Sequence, residues 1–121
     1  MSRPTQTLYR PIGPTELALI EAAAYRAFSR KGNQPLTSPR LPEQPIFYPV
    51  MNEAYAREIA SAWNVREVGG GFVTRFEVDA EFVARYPVQT VVHRELWVPA
   101  EELELFNSHI VGRIDVIATY R

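Results

Sequence analysis

The chain has 121 residues, 46% hydrophobic and 22% charged, with thirteen basic against fourteen acidic side chains and no cysteine. This length suits one domain, and the hydrophobic share excludes a largely disordered chain. Neither sign of charge gathers in a block, which argues against general nucleic-acid binding, and without cysteine there are no disulfides, thiolate metal sites or thiol nucleophiles. No apolar run approaches the roughly 18 residues of a membrane span, and Met1–Thr7 lacks an apolar signal segment, so a cytoplasmic protein is expected.

Leu8–Ile12 reads as a first strand, ended by Gly13-Pro14. Leu17, Ile20, Ala24 and Ala27 or Phe28 then recur at three and four residues, predicting a helix of about four turns. Gly13 is its N-cap, Pro14 its first helical residue, and Glu16 complements the positive end of its dipole. From Ser29 to Pro45 the periodicity vanishes among four prolines, and a loop beyond about 12 to 15 residues is often a functional one.

Ile46–Met51 is a second strand, limited by Pro49 to an edge or a bulge. Asn52 caps the next helix, with Tyr55, Ile59 and Ala62 or Trp63 as its apolar stripe and an end near Asn64. Gly69-Gly70-Gly71 makes a turn into an alternating strand from Phe72 to Val78, after which Asp79 caps a short helix carrying Phe82, Val83 and Tyr86. Val88–Val98 reads as one strand, Pro99 opens a helix burying Leu103 and Phe106, and Asn107 caps its C-terminal end. The last strand, Gly112–Tyr120, places Ile114, Val116, Ala118 and Tyr120 on one face. Trp63 and Trp97 are expected in the core. The helices near Asp79 and Pro99 are too short for comfortable parallel crossovers, so the fold class is α+β with a mixed or antiparallel sheet.

Several motifs are missing. Gly69-Gly70-Gly71 leads into a strand, not a helix, so there is no phosphate-cradling glycine loop, and there is no Gly-x-Ser-x-Gly elbow. His93 and His109, sixteen positions apart, do not make a structural zinc site, and no metal is expected. The candidates that remain are polar residues in or beside strands: Tyr9, Arg10, Tyr48, Arg75, His93 and Glu95. In an extended strand His93, Glu95 and Trp97 share a face, with the first two about 7 Å apart, a polar and aromatic lining of the kind small-molecule pockets use. Arg75 suits an anion or a surface carboxylate.

Tyr9-Arg10-Pro11-Ile12-Gly13, Phe47-Tyr48-Pro49-Val50, Thr74-Arg75-Phe76, Tyr86-Pro87-Val88-Gln89 and His93-Arg94-Glu95-Leu96-Trp97-Val98-Pro99 resemble small bacterial proteins labelled ADP-ribosylation/crystallin J1. The likeness runs over nearly the whole chain. The order of elements is also similar to a reduced ADP-ribosyltransferase-type fold, in which a first-strand Arg or His, a second-strand aromatic or hydroxyl residue and a later glutamate surround NAD. That resemblance implies that Arg10 holds a phosphate or ribose, that Tyr48 of the Phe47-Tyr48 pair stacks on nicotinamide, and that Glu95 stabilises the ribosyl cation; His93 joins Glu95 as a catalytic candidate, and Tyr9 and Arg75 join Arg10 and Tyr48 as cofactor-binding candidates. The chain departs from arginine-modifying transferases in lacking Ser-Thr-Ser on the second strand and in carrying His93 two residues before Glu95.

Three readings follow. The first is an NAD-dependent ADP-ribosyltransferase-like enzyme acting through Glu95 on a small-molecule or protein substrate. The second is a non-catalytic regulatory domain that binds a small molecule or a protein. The third is a homodimer that trades an edge strand or the long loop between subunits.

Overall fold

The computed structural model describes residues 4–28, 46–47, 49–86, 88–90, 94–96 and 98–121, without the side chains of 46, 47, 68, 88–90, 94–96 and 100. The fold is α+β, built on an antiparallel sheet in which β3 (Gly71–Asp79) lies between β1 (Thr5–Ile12) and β7 (Ile110–Tyr120). The predicted loop at 29–45 lies outside the described residues. Two smaller antiparallel pairings flank the three-stranded sheet. β2 (Ile46–Phe47) lies against β6 (Val98–Pro99), and β4 (Val88–Thr90) against β5 (Arg94–Leu96).

Alternation along β1 divides the sheet into two faces. Leu8 and Ile12 join Phe76, Val78 and Ile114 in a core that also takes Ile20 from α1 (Pro14–Ala22), Phe28, Phe82, Leu103 and Phe106. On the other face Val73 packs with Val50, Ala56 and Ala60, bordered by Tyr9, Tyr55, Ile117, Ala118 and Tyr120.

Gly13 and Pro14 open α1 as expected, but the helix stops at Ala22 and not near Phe28. Its end is a six-residue helix-closing turn: Tyr25 N–H donates to the Ile20 carbonyl and Ala24 N–H to that of Glu21. The left-handed position falls on Ala24, with φ 57°, followed by Tyr25 at 60°. Glycine is the usual signal for such a stop, and alanine is the strongest helix former, so periodicity overran it. Tyr25 also turns its carbonyl toward β7, where it accepts from Ile114 N–H at 2.7 Å.

The second helix starts as read, with Asn52 Oδ1 accepting from Tyr55 N–H at 2.9 Å. α2 (Glu53–Glu58) runs into a π-helical stretch (Ile59–Asn64) and then α3 (Val65–Val68), ending on Gly69 at φ 80°, beyond the predicted end at Asn64. The buried residues are Ala56, Ala60 and Asn64, whereas Trp63 is 39% exposed, correcting its expected core position. The cause is close approach to the sheet: a Cβ on Gly71 would stand 2.0 Å from the Ala60 carbonyl oxygen, so only small side chains fit that face.

Asp79 caps α4 (Ala80–Val83) through Glu81 N–H, as expected. The single strand read over Val88–Val98 is instead a reversal, since Thr90 pairs with Arg94 and Gln89 with Glu95. The sequence between Thr90 and Arg94 carries no glycine or proline, so hydropathy alone reads through it. Pro99 closes β6, and the expected helix begins one residue later, at Ala100. A 3-10 turn (Ala100–Glu102) precedes α5 (Leu103–Asn107). Asn107 is not a C-terminal cap, for its amide holds the backbone of Phe28, accepting from N–H at 2.9 Å and donating to the carbonyl at 2.8 Å. In β7 a register shift opposite Val73 and Thr74 puts Ile114 in the α1 core but Ala118 and Tyr120 against the second helix, so the expected single face is split.

Candidate functional site

Arg10 lies on the buried face of β1, between Leu8 and Ile12. Its Nε donates to Glu16 Oε2 at 2.7 Å and its Nη2 to Glu16 Oε1 at 3.0 Å, and both side chains are 2% exposed. Glu16 reaches it from the first turn of α1, which Gly13 and Pro14 place directly after the strand. Opposite Arg10, the buried Thr74 donates its hydroxyl to the Arg10 carbonyl at 2.8 Å. A paired guanidinium and carboxylate can remain in such a core because each meets the other's charge and hydrogen-bonding needs. Glu16 is the residue that sequence reasoning missed as a partner. The signal was Arg10 sharing its strand parity with Leu8 and Ile12, a position that demands a buried counter-charge nearby.

Tyr9 and Arg75 sit together on the opposite face. They are register partners, with Tyr9 half-buried and Arg75 exposed. The sheet itself therefore separates these two candidates from Arg10. Glu77, further along that face, accepts from the hydroxyls of Thr5 and Thr7.

Tyr48 and His93 lie outside the described residues. The backbone around them is informative. Tyr9 and Val50 exchange hydrogen bonds of 2.9 and 2.7 Å, while Phe47 pairs with Val98, three residues beyond Glu95. Pro49, without an N–H, stands where the segment changes partner from β6 to β1. Glu95 itself is in β5, opposite Gln89. The first strand thus adjoins Val50, and the second strand adjoins β6, which follows the Glu95 strand in sequence.

A second polar contact lies at the ends of the Glu95 segment. Tyr86 Oη donates to Glu102 Oε1 at 2.6 Å, and burial, followed by the bond to Glu102 and its charge, pushes the Tyr86 phenol up to about 12. Among the described residues no helix is long and apolar enough to cross a membrane.

No protein-family model matches the chain, and no curated protein or solved structure matches it.

Proposed function

We propose that this protein is a small ADP-ribosyltransferase-like domain that handles NAD or an ADP-ribosyl group. The observation that carries this reading is the backbone adjacency just described: Tyr9 bonded to Val50, and Phe47 to Val98. These pairings join the first- and second-strand segments that the resemblance would gather around NAD to Val98, three residues after Glu95. In this reading Arg10, oriented by Glu16, holds phosphate or ribose, Tyr48 stacks on nicotinamide, and Glu95 faces the reacting ribose. The C1′–N bond breaks with its electron pair leaving on neutral nicotinamide, and a nucleophile then adds to C1′. A carboxylate fixed beside the developing positive charge lowers that barrier. His93 lies two residues before this glutamate in sequence, while Tyr9 and Arg75 lie on the other face of the sheet from Arg10.

A second reading, a non-catalytic small-molecule- or protein-binding regulatory domain, is favoured by one observation. Arg10 is already compensated by Glu16 and buried, so it needs no ligand to satisfy its charge. Thermal unfolding separates the two. NAD or ADP-ribose at about a hundred times its dissociation constant stabilises a protein that binds it by about 2.7 kcal/mol, and Glu95→Gln then abolishes nicotinamide release while leaving that shift intact. An unmoved midpoint with NAD, ADP-ribose and nicotinamide overturns the first reading in favour of the second.

A further inference from the structure

The segment carrying Glu95 runs between Tyr86 and Glu102, with Val98 buried in the core after β5. Within it β4 and β5 form an antiparallel pair, and β6 continues to β2. The two ends rest on one aromatic block. The Tyr86 ring meets Phe82 edge-on, with centroids 5.4 Å apart, and Phe82 meets Phe106 of α5 at 6.1 Å. His109, just past α5, stacks flat on Phe82 at 3.9 Å. Across this base runs the 2.6 Å bond from the Tyr86 hydroxyl to the Glu102 carboxylate, a charge-assisted contact between residues sixteen positions apart.

We propose that Tyr86 and Glu102 form a clasp that fixes the β4–β5 pair and so act as positioning residues for Glu95. The clasp closes the segment's ends at a point where the two strands themselves are short, three residues each. Two strands of that length hold poorly alone, so their alignment depends on their anchors, which are the Tyr86–Glu102 bond and the buried Val98 beyond β5. The catalytic half of this inference rests on the NAD reading above. The mechanical half does not.

The test is Tyr86→Phe, which removes one oxygen and leaves the ring packed on Phe82. Amide exchange of Val88–Thr90 and Arg94–Leu96 is expected to quicken about tenfold, with exchange in β1 and β3 unchanged. Nicotinamide release from NAD is expected to fall about tenfold in kcat with KM within about twofold, the pattern of lost positioning. Glu102→Ala should reproduce both effects, and Glu102→Gln, which keeps an acceptor, should restore most of each. Unchanged exchange in the β4–β5 amides overturns the clasp. Faster exchange with an unchanged kcat overturns its positioning role. If the wild-type protein releases no nicotinamide, the NAD reading and the positioning role fall with it, and the exchange measurement still decides the clasp.

Discussion

Arg10 and Glu16 face each other through two hydrogen bonds inside the core, six residues apart in sequence and on different kinds of element. The pair ties the middle of β1 to the first turn of α1. It also sets a stringent condition on any substitution, because either partner left alone is an uncompensated buried charge.

Arg10→Ala and Glu16→Ala should therefore each lower stability by about 3–5 kcal/mol. Replacing both together, as in Arg10→Met with Glu16→Leu, should cost far less than the two losses combined, since the pair's desolvation penalty disappears with it. Urea unfolding of the two single variants and the double variant measures this. Additive losses would mean that the two side chains act independently.

Ala24 occupies a backbone conformation in which a Cβ crowds the following carbonyl. Ala24→Gly is expected to raise stability by up to about 1 kcal/mol, the relief of that crowding being partly offset by glycine's greater freedom in the unfolded chain. Thermal melts of the two proteins check it. A glycine that destabilises would show that the alanine methyl makes a compensating contact.

Asn64 is 2% exposed, and its Oδ1 has no hydrogen-bond partner among the described residues. An apolar side chain of similar size removes that desolvation cost, so Asn64→Leu should stabilise by about 1 kcal/mol and raise Tm by a few degrees. A lower Tm would instead identify a role for the amide.

The Tyr86 phenol titrates at about 12 in the folded protein, against an ordinary value near 10. The folded state holds this proton more tightly than the unfolded chain. Its stabilising contribution is therefore complete below about pH 10 and is lost as pH rises toward 12. Denaturant midpoints across this range should fall more steeply for the wild-type protein than for Tyr86→Phe. Parallel curves would exclude Tyr86 as the source.

The caps at Gly13, Asn52 and Asp79 were legible because each is a local exchange between a residue type and the backbone beside it. What escaped was set by distant partners. Periodicity puts Trp63 in the core, whereas Gly71 brings the sheet so close to the helix backbone at Ala60 that the buried face takes small side chains, a constraint that no periodicity carries. Glu16 had a sufficient local explanation in the helix dipole, which concealed its bond to Arg10. Arg10 and Tyr9 are both polar candidates of the first strand, yet strand alternation sends them to opposite faces. The reversal between Gln89 and Glu95 lacked turn residues, so the segment bearing the proposed catalytic carboxylate was read as a continuous strand.

The carbonyl of Tyr25, turned outward by its left-handed backbone, occupies the amide of Ile114. An incoming extended peptide aligning itself along the C-terminal strand would find that donor taken. The irregular steps in the ladder near Gly112 and Ile117 would then throw its next amides out of phase. The local distortion after the first helix thereby disfavours intermolecular sheet growth, the route by which exposed strand rims nucleate fibrils.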